Sequence, residues 1–140
     1  MKYALYPGCA AQGATPELYL STRAIIGRLG IEVVELKTAA CCGAGVVTEA
    51  DPDMALAINA RTFAQAEALG LDVMTICGTC QGVMSAANRR LKMETETLDR
   101  INTLLFCVLN KPACIDDHHL VITCFTFMLN IEFCSLELAH

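Results

Sequence analysis

Five of the nine cysteines in this 140-residue chain form an ordered array of three groups at nearly equal intervals. The groups are Cys9, the adjacent pair Cys41-Cys42, and Cys77 with Cys80 at Cys-x-x-Cys spacing. Thiolates are the form of cysteine that binds metals, and a Cys-x-x-Cys pair can hold one metal or one cluster. The residue types and their spacing therefore predict a thiolate site for an iron–sulfur cluster.

The adjacent cysteines favour a cluster of several metal atoms over a single ion. Successive side chains of an extended backbone point to opposite sides, so one ion rarely binds both Cys41 and Cys42. A multi-iron cluster is larger and can accept neighbouring ligands on different irons. Gly43 and Gly45 follow the pair and would let the backbone turn closely around such a group.

Three other interpretations of these cysteines are open. Taken alone, Cys77 and Cys80 fit a thioredoxin-like dithiol beside an αβ unit equally well. Four of the five thiolates could close a tetrahedral all-cysteine zinc site and leave one spare. Cys41 and Cys42 could also be small buried residues, since free cysteine is among the most buried residue types. The array as a whole favours a cluster, because cysteines rarely gather in cytosolic proteins without a metal or redox role.

Short strands and longer helices alternate around the cysteines. Three segments rich in apolar and β-branched residues are predicted strands: 2–6, 31–36 and 71–76. Three helices are predicted after them: 15–30, 51–70 and 77 to about 91. Thr15 and Asp51 are the expected caps of the first two helices, and a proline follows each of them.

The β-α-β-α-β-α order predicts an α/β fold, a three-layer-like unit with a short parallel sheet. Each cysteine group follows the carboxyl end of a predicted strand, which is where open α/β sheets bind ligands. Two apolar stripes on the helices are expected to be core faces packed on the sheet: Leu18, Ile25 and Leu29, and Met54, Ile58 and Leu69.

Three segments resemble the cysteine-rich CCG domain: Tyr6–Cys9, Cys41–Gly43 and Cys77–Cys80. That domain occurs in the B-type component of heterodisulfide reductase and in related subunits of unusual succinate dehydrogenases, glycolate oxidases and lactate-utilisation oxidoreductases. The resemblance covers residues 1 to about 92. It implies an iron–sulfur electron-transfer or catalytic module that reduces a disulfide or passes electrons to another acceptor, such as a quinone.

The resemblance also implies the cofactor and the partners. The cofactor would be a noncubane [4Fe–4S] cluster, and the partners would be a flavin-bearing subunit and a ferredoxin-type iron–sulfur subunit. The implied ligands are Cys9, Cys41, Cys42, Cys77 and Cys80. A structural zinc-binding module that serves complex assembly is the alternative function, with zinc as the alternative metal.

The chain departs from the family pattern after its first cysteine array. Family members usually carry two such motifs in tandem domains, and this chain has one, so it resembles the N-terminal half of a subunit. Residues 83–140 contain no glycine, whereas residues 1–82 hold all nine. We therefore predict a CCG domain at 1–98 and a tail at 99–140, which is either a divergent extension or the product of a frameshift or misjudged gene end.

The tail is assigned no chemistry. Its segments 104–109 and 121–128 have a strand-like composition but lack clear turn signals. Its cysteines are interpreted as incidental: Cys107, Cys114, Cys124 and Cys134. His118 and His119 are interpreted as part of a solvated turn.

Charge and hydropathy exclude some classes of function. A net charge of −5 without a basic stripe argues against nucleic-acid binding. No apolar run reaches the roughly 18 residues of a membrane span. No signal peptide is visible after Met1. A cytoplasmic location is expected, with peripheral attachment to the membrane through partner subunits as a variant.

Overall fold

The computed structural model describes residues 1–109 and 121–123, with side chains through residue 106. The strands are β1 (Lys2–Tyr6), β2 (Glu32–Glu35), β3 (Val73–Thr75) and β4 (Val121–Thr123). The helices are α1 (Pro16–Arg28), α2 (Val46–Ala50), α3 (Pro52–Glu67), α4 (Gly78–Met93) and α5 (Thr95–Leu109), and a π-helical turn spans Ala10–Ala14. The three predicted strands and the helices after them are confirmed, and β3 is shorter than predicted.

The strands form one sheet in the order β2-β1-β3-β4, and every pair is parallel. Ala4 of β1 lies opposite Val34 of β2 on one side and Val73 of β3 on the other. The central position of β1 follows from the connections: α1 and α3 cross over on opposite faces of the sheet, so right-handed crossovers take the chain first to one side of β1 and then to the other. The predicted α/β fold is confirmed.

The two faces of the sheet bury different side chains, as the alternation of a strand requires. On one face, Ala4 and Val73 belong to a core with Phe63 of α3 and Met84 of α4. On the other face, three buried residues form a smaller core: Leu5, Met74 and Ile26 of α1. Helices therefore cover both faces, which gives the predicted three layers.

The predicted core stripes of the helices are largely wrong. Leu18 and Leu29 are exposed, and the buried residues of α1 are Thr22 and Ile26 instead. Met54 is 52% exposed, whereas α3 buries a face on which small residues surround Phe63. The buried face of α3 combines Phe63 and Leu56 with small residues that let the helix approach its neighbours closely, and Met54 lies outside that face.

The two predicted caps behave differently. The Asp51 carboxylate accepts a hydrogen bond from the backbone N–H of Met54 at 2.9 Å, as expected of an N-cap. The Thr15 hydroxyl makes no capping bond to α1 and donates to the carbonyl of Ala10 at 3.1 Å. The π-helical turn ends directly before Thr15, and the carbonyl of Ala10 accepts both the backbone N–H of Thr15 at 2.8 Å and its hydroxyl.

Asp51→Ala is expected to lower the free energy of unfolding by about 1 kcal/mol, because an N–H at the start of α3 loses its acceptor. Asp51→Asn keeps an acceptor oxygen at the same place and should restore most of the loss. Urea titrations of the three proteins measure the difference. Equal destabilisation by both substitutions would contradict the capping role.

The part of the tail that the structure describes joins the same core. α5 runs through the predicted boundary at residue 98, contacts α3 and α4, and buries Ile101 and Leu105. Segment 104–109 is helical, so its strand-like composition was misleading, whereas Val121–Thr123 is a strand. The domain boundary stays a prediction. The predictions for several tail residues fall outside the described residues: Cys114, His118, His119, Cys124 and Cys134.

Within residues 1–109 and 121–123, none of the helices has the combination of length and apolar composition needed to cross a bilayer.

Candidate metal centre

All five cysteines of the array lie just beyond the carboxyl ends of β1, β2 and β3. Cys9 lies shortly after β1, and Cys41-Cys42 lie in the loop after β2. Cys77 follows β3 and Cys80 is in the first turn of α4. The predicted convergence at one edge of a parallel sheet is what the topology produces, because these ends lie side by side in the order β2-β1-β3.

The sulfurs form two close pairs. The Sγ atoms of Cys9 and Cys41 are 3.8 Å apart, and those of Cys42 and Cys80 are 3.4 Å apart. The adjacent cysteines thus belong to different pairs. Cys77 is the fifth thiol of the group and contacts Cys80 through hydrogen bonds.

The sulfur separations test whether these residues suit a metal. Two thiolates bound at about 2.3 Å to one tetrahedral metal atom lie about 3.8 Å apart. The Cys9–Cys41 separation has this value, and the Cys42–Cys80 separation is slightly shorter. Across the described residues, no three Cys, His, Asp or Glu side chains are arranged around one point as a site for a single ion. Each pair, taken by itself, therefore has about the separation of two thiolates on one metal atom.

Burial divides the site into an outer and an inner part. Cys9 and Cys41 are exposed and form what we call the outer pair. Cys42 and Cys80 are 2% and 3% exposed and form the inner pair. Cys77 is intermediate. The outer pair faces solvent, while the inner pair is packed in the core.

The pKa values of three thiols are shifted, each for a different reason. Burial, then hydrogen bonds with Cys77 and Cys42, raise the pKa of the Cys80 thiol. The hydrogen bond and the charge of Cys41 raise the pKa of Cys9. Burial alone would raise the pKa of Cys77, but hydrogen bonds from Cys80 and Thr79 at the start of α4 outweigh it and lower the pKa.

Two side chains fix the backbone on either side of the doublet. The hydroxyl of Tyr6 donates to the carbonyl of Ala40 at 2.8 Å. The Nδ2 of Asn59 donates to the carbonyl of Cys42 at 2.9 Å and to that of Ala55 at 2.7 Å. These bonds tie the loop to β1 and to α3, and so hold Cys41 and Cys42 in different directions. Sequence reasoning missed Asn59, although an asparagine inside an apolar helix is a sign of a buried polar contact.

Two glycines with positive φ shape the loops around the cysteines, and Gly8 lies directly against a sulfur. Gly8 has φ +77°, and a Cβ there would lie 3.2 Å from the Sγ of Cys80 and 3.6 Å from the Cβ of Cys77. Gly43 also has φ +77°, and its carbonyl accepts from the Thr48 hydroxyl at 2.8 Å. Only glycine adopts this conformation readily, so both loops depend on it.

A mainly apolar cavity of about 310 Å³ lies between α3 and α4. Ala55, Leu56 and Val83 line it, and Asn59 is part of its wall. Since the same asparagine holds the carbonyl of Cys42, the cavity and the cysteine site share a wall.

Tyr6→Phe is expected to destabilise the metal-free chain by about 1 kcal/mol, because the Ala40 carbonyl loses its donor. The pKa of Tyr6 is raised by burial and then by the neighbouring thiolates, so the phenol stays a protonated donor. Tyr3→Phe is the control: the Tyr3 hydroxyl donates to the sulfur of Met1 at the surface. Denaturation curves compare the two, and an equal loss for both would contradict the role of Tyr6.

The cysteine array and the loops that hold it match a known domain family. Residues 3–85 match the family model of the cysteine-rich CCG domain. The chain belongs to the CCG cysteine-rich domain family. In this CCG domain the name-giving Cys-Cys-Gly is Cys41–Gly43, the loop that Tyr6 and Asn59 hold. The resemblance seen in the sequence is confirmed, while the ligand roles of the five cysteines stay a prediction.

Similar proteins are named as components of reductases. The CCG domain chain is 36% identical over 104 residues to the 8-methylmenaquinol:fumarate reductase membrane anchor subunit of Wolinella succinogenes, covering 74% of this chain and 36% of that protein. It is 32% identical over 106 residues to a protein of Archaeoglobus profundus named as similar to the B-type component of heterodisulfide reductase, covering 75% and 36%. It is 31% identical over 105 residues to the B-type component of the ferredoxin/F(420)H(2)-dependent CoB-CoM heterodisulfide reductase of Methanosarcina acetivorans, covering 74% and 35%. The chain thus spans about a third of the length of the curated relatives it matches.

Proposed function

We propose that this CCG domain is an iron–sulfur electron-transfer module of a heterodisulfide reductase-like oxidoreductase complex. The observation that carries the proposal is the division of four thiols into two pairs, with Cys41 in one and Cys42 in the other. Each pair has nearly the separation of two thiolates on one metal atom, and the adjacent cysteines serve different atoms. This donor set suits a multi-iron cluster, and we propose a noncubane [4Fe–4S] cluster held by the two pairs and Cys77.

A bound cluster would supply one-electron storage at the edge of the sheet. The protein side of the mechanism is positioning and shielding. Asn59 holds the inner pair through the carbonyl of Cys42, and the core excludes water from that side. The outer pair, Cys9 and Cys41, faces the surface, where a partner or an acceptor can approach.

The partners are proposed from the relatives, whose names place them in reductases that use ferredoxin, F420H2 or a menaquinol. A flavin-bearing subunit and a ferredoxin-type iron–sulfur subunit would deliver or receive the electrons. The final acceptor would be a disulfide or another acceptor such as a quinone. Since the chain spans about a third of those relatives, a second domain or chain would complete the activity.

A structural zinc module is the second candidate. The observation in its favour is the 3.8 Å separation of Cys9 and Cys41, which equals that of two thiolates on a tetrahedral zinc ion. Against it stands that, among the described residues, no group of three or more Cys, His, Asp or Glu side chains is arranged to hold a single ion.

Electron transfer is tested on protein purified without oxygen. Dithionite reduction should reversibly bleach a visible absorption band, and benzyl viologen, added in its oxidised form, should restore it. A zinc module has no such band, because zinc has no redox chemistry. A colourless protein whose absorption does not respond to either reagent contradicts the proposal.

A further inference from the structure

The two sulfur pairs define a second chemistry that operates when no metal is bound. A disulfide needs its sulfurs about 2.05 Å apart and its cysteines close in space. The outer pair, at 3.8 Å, and the inner pair, at 3.4 Å, are each less than about 2 Å from that separation. Each of these four thiols therefore already lies next to one specific partner that a different loop carries.

The arrangement decides which disulfides form. Cys41 and Cys42 are adjacent in sequence but lie against different partners, so the pairing is 9 with 41 and 42 with 80. Cys77 is left as the odd thiol. The competing product is a Cys77–Cys80 disulfide, which the Cys-x-x-Cys spacing alone would favour. Cys80 hydrogen-bonds Cys77 as well, and its Sγ lies 3.4 Å from that of Cys42 on the buried side of the site. The separation from Cys42 is the basis for the pairing between loops, and a 77–80 cross-link is the opposing outcome of the test.

Exposure sets the order of the two closures. Exchange with a small disulfide requires a thiolate and room for the oxidant to reach it. Cys9 and Cys41 are exposed, whereas Cys42 and Cys80 are almost completely buried. The outer pair is accessible in the folded chain, and the inner pair needs local opening first.

We propose that the metal-free domain is a redox-modification site in which a low-molecular-weight disulfide closes Cys9–Cys41 first and Cys42–Cys80 second, leaving Cys77 free. In each closure one cysteine thiolate attacks a sulfur of the small disulfide, forms a mixed disulfide and releases one small thiolate. The paired cysteine then displaces the second small thiolate. Two protein thiols are oxidised to one disulfide, and the oxidant is reduced to two thiols with the two protons.

The consequence is that metal loading depends on the redox state of the empty site. Metal ions bind thiolates, and a cysteine in a disulfide cannot supply one. Closing the outer pair alone removes two of the five thiols. The inference goes beyond the proposed function and holds whichever metal the site takes.

The test uses the full chain after treatment with a chelator and a reductant that are then removed. Oxidised glutathione is added, samples are quenched with iodoacetamide over time, and unreduced peptides are mapped by mass spectrometry. The expected course is a 9–41 cross-link first and a 42–80 cross-link later, each lowering the mass by about 2 Da. Cys77 should carry the alkyl group or a glutathione adduct at the end. A dominant 77–80 cross-link, closure of the inner pair first, or cross-links to the tail cysteines would overturn the proposal.

Two variants isolate the pairs. Cys9→Ser should leave Cys41 alkylated or as a mixed disulfide with glutathione while the inner pair still closes, and Cys80→Ser should leave Cys42 in one of these two forms while the outer pair still closes. If Cys9→Ser prevents closure of the inner pair, the pairs are not independent and the assignment is wrong.

Zinc binding tests whether oxidation of the empty site prevents metal loading, and this probe does not depend on iron. The reduced metal-free chain should bind zinc in competition with a chromogenic indicator, and the oxidised chain should lose this binding until dithiothreitol restores it. Equal zinc binding by the reduced and the oxidised chain contradicts the dependence of metal loading on the redox state. Since disulfide mapping uses no cluster, a protein without iron could still show both cross-links, which separates this inference from the proposed function.

Discussion

Cys42→Ser is expected to lose most of the iron and acid-labile sulfide of the anaerobically purified protein. Cys42 is 2% exposed, and its Sγ lies 3.4 Å from that of Cys80. A serine side chain is shorter than that of cysteine, and its hydroxyl is a poorer ligand for iron than a thiolate. At this buried position, water cannot take the place of the lost ligand. The measurement is iron and sulfide per chain together with the visible spectrum.

A tail cysteine provides the control for this substitution. Cys124→Ser changes the same atom in a residue that is assigned no ligand role, so iron and sulfide should stay at the wild-type level. An unchanged cluster spectrum in Cys42→Ser would show that Cys42 is not a ligand. An equal loss in both variants would show that serine substitution acts through folding.

Gly8→Ala is expected to destabilise the protein and to reduce its cluster content. The backbone at Gly8 has φ +77°, where a Cβ costs roughly 1–2 kcal/mol. The new methyl group would also lie 3.2 Å from the Sγ of Cys80, so this sulfur would have to shift from its position beside Cys42 by a few tenths of an ångström. Urea denaturation measures the first effect, and iron analysis measures the second.

Gly70→Ala separates the two effects. Gly70 has φ +65° and no atom within 4 Å of its added Cβ. It should therefore show a similar loss of stability with unchanged iron content. If Gly8→Ala keeps as much iron as Gly70→Ala, the close approach of Gly8 to Cys80 has no part in holding the cluster.

The sequence was sufficient to predict the fold and the edge at which the cysteines meet. Strand and helix composition predicted three αβ units, and the parallel topology places the ends of β1, β2 and β3 side by side. The pairing of Cys9 with Cys41 and of Cys42 with Cys80 could not be predicted. It depends on the direction of side chains in loops, which Gly8, Tyr6 and Asn59 set through contacts distant in sequence.

The buried faces of the helices and the structure of the tail were harder to predict from the sequence, for a different reason. On α3, Met54 is exposed although it is large and apolar, whereas the buried face combines Phe63 with small residues, so the size of an apolar residue does not by itself identify the buried face. Segment 104–109 is uniformly apolar, and such a run does not distinguish a strand from a buried helix. Ile101 and Leu105 of α5 are buried beside α3 and α4, contacts that no local pattern reveals.

A multi-iron cluster held by the five cysteines would contain several iron atoms and acid-labile sulfide, whereas a single zinc ion brings neither. Iron, acid-labile sulfide and zinc, measured per chain on anaerobically purified protein, test for it most directly. We expect about four irons and a similar amount of sulfide per chain, with zinc well below one. One zinc per chain without iron or acid-labile sulfide would contradict the cluster.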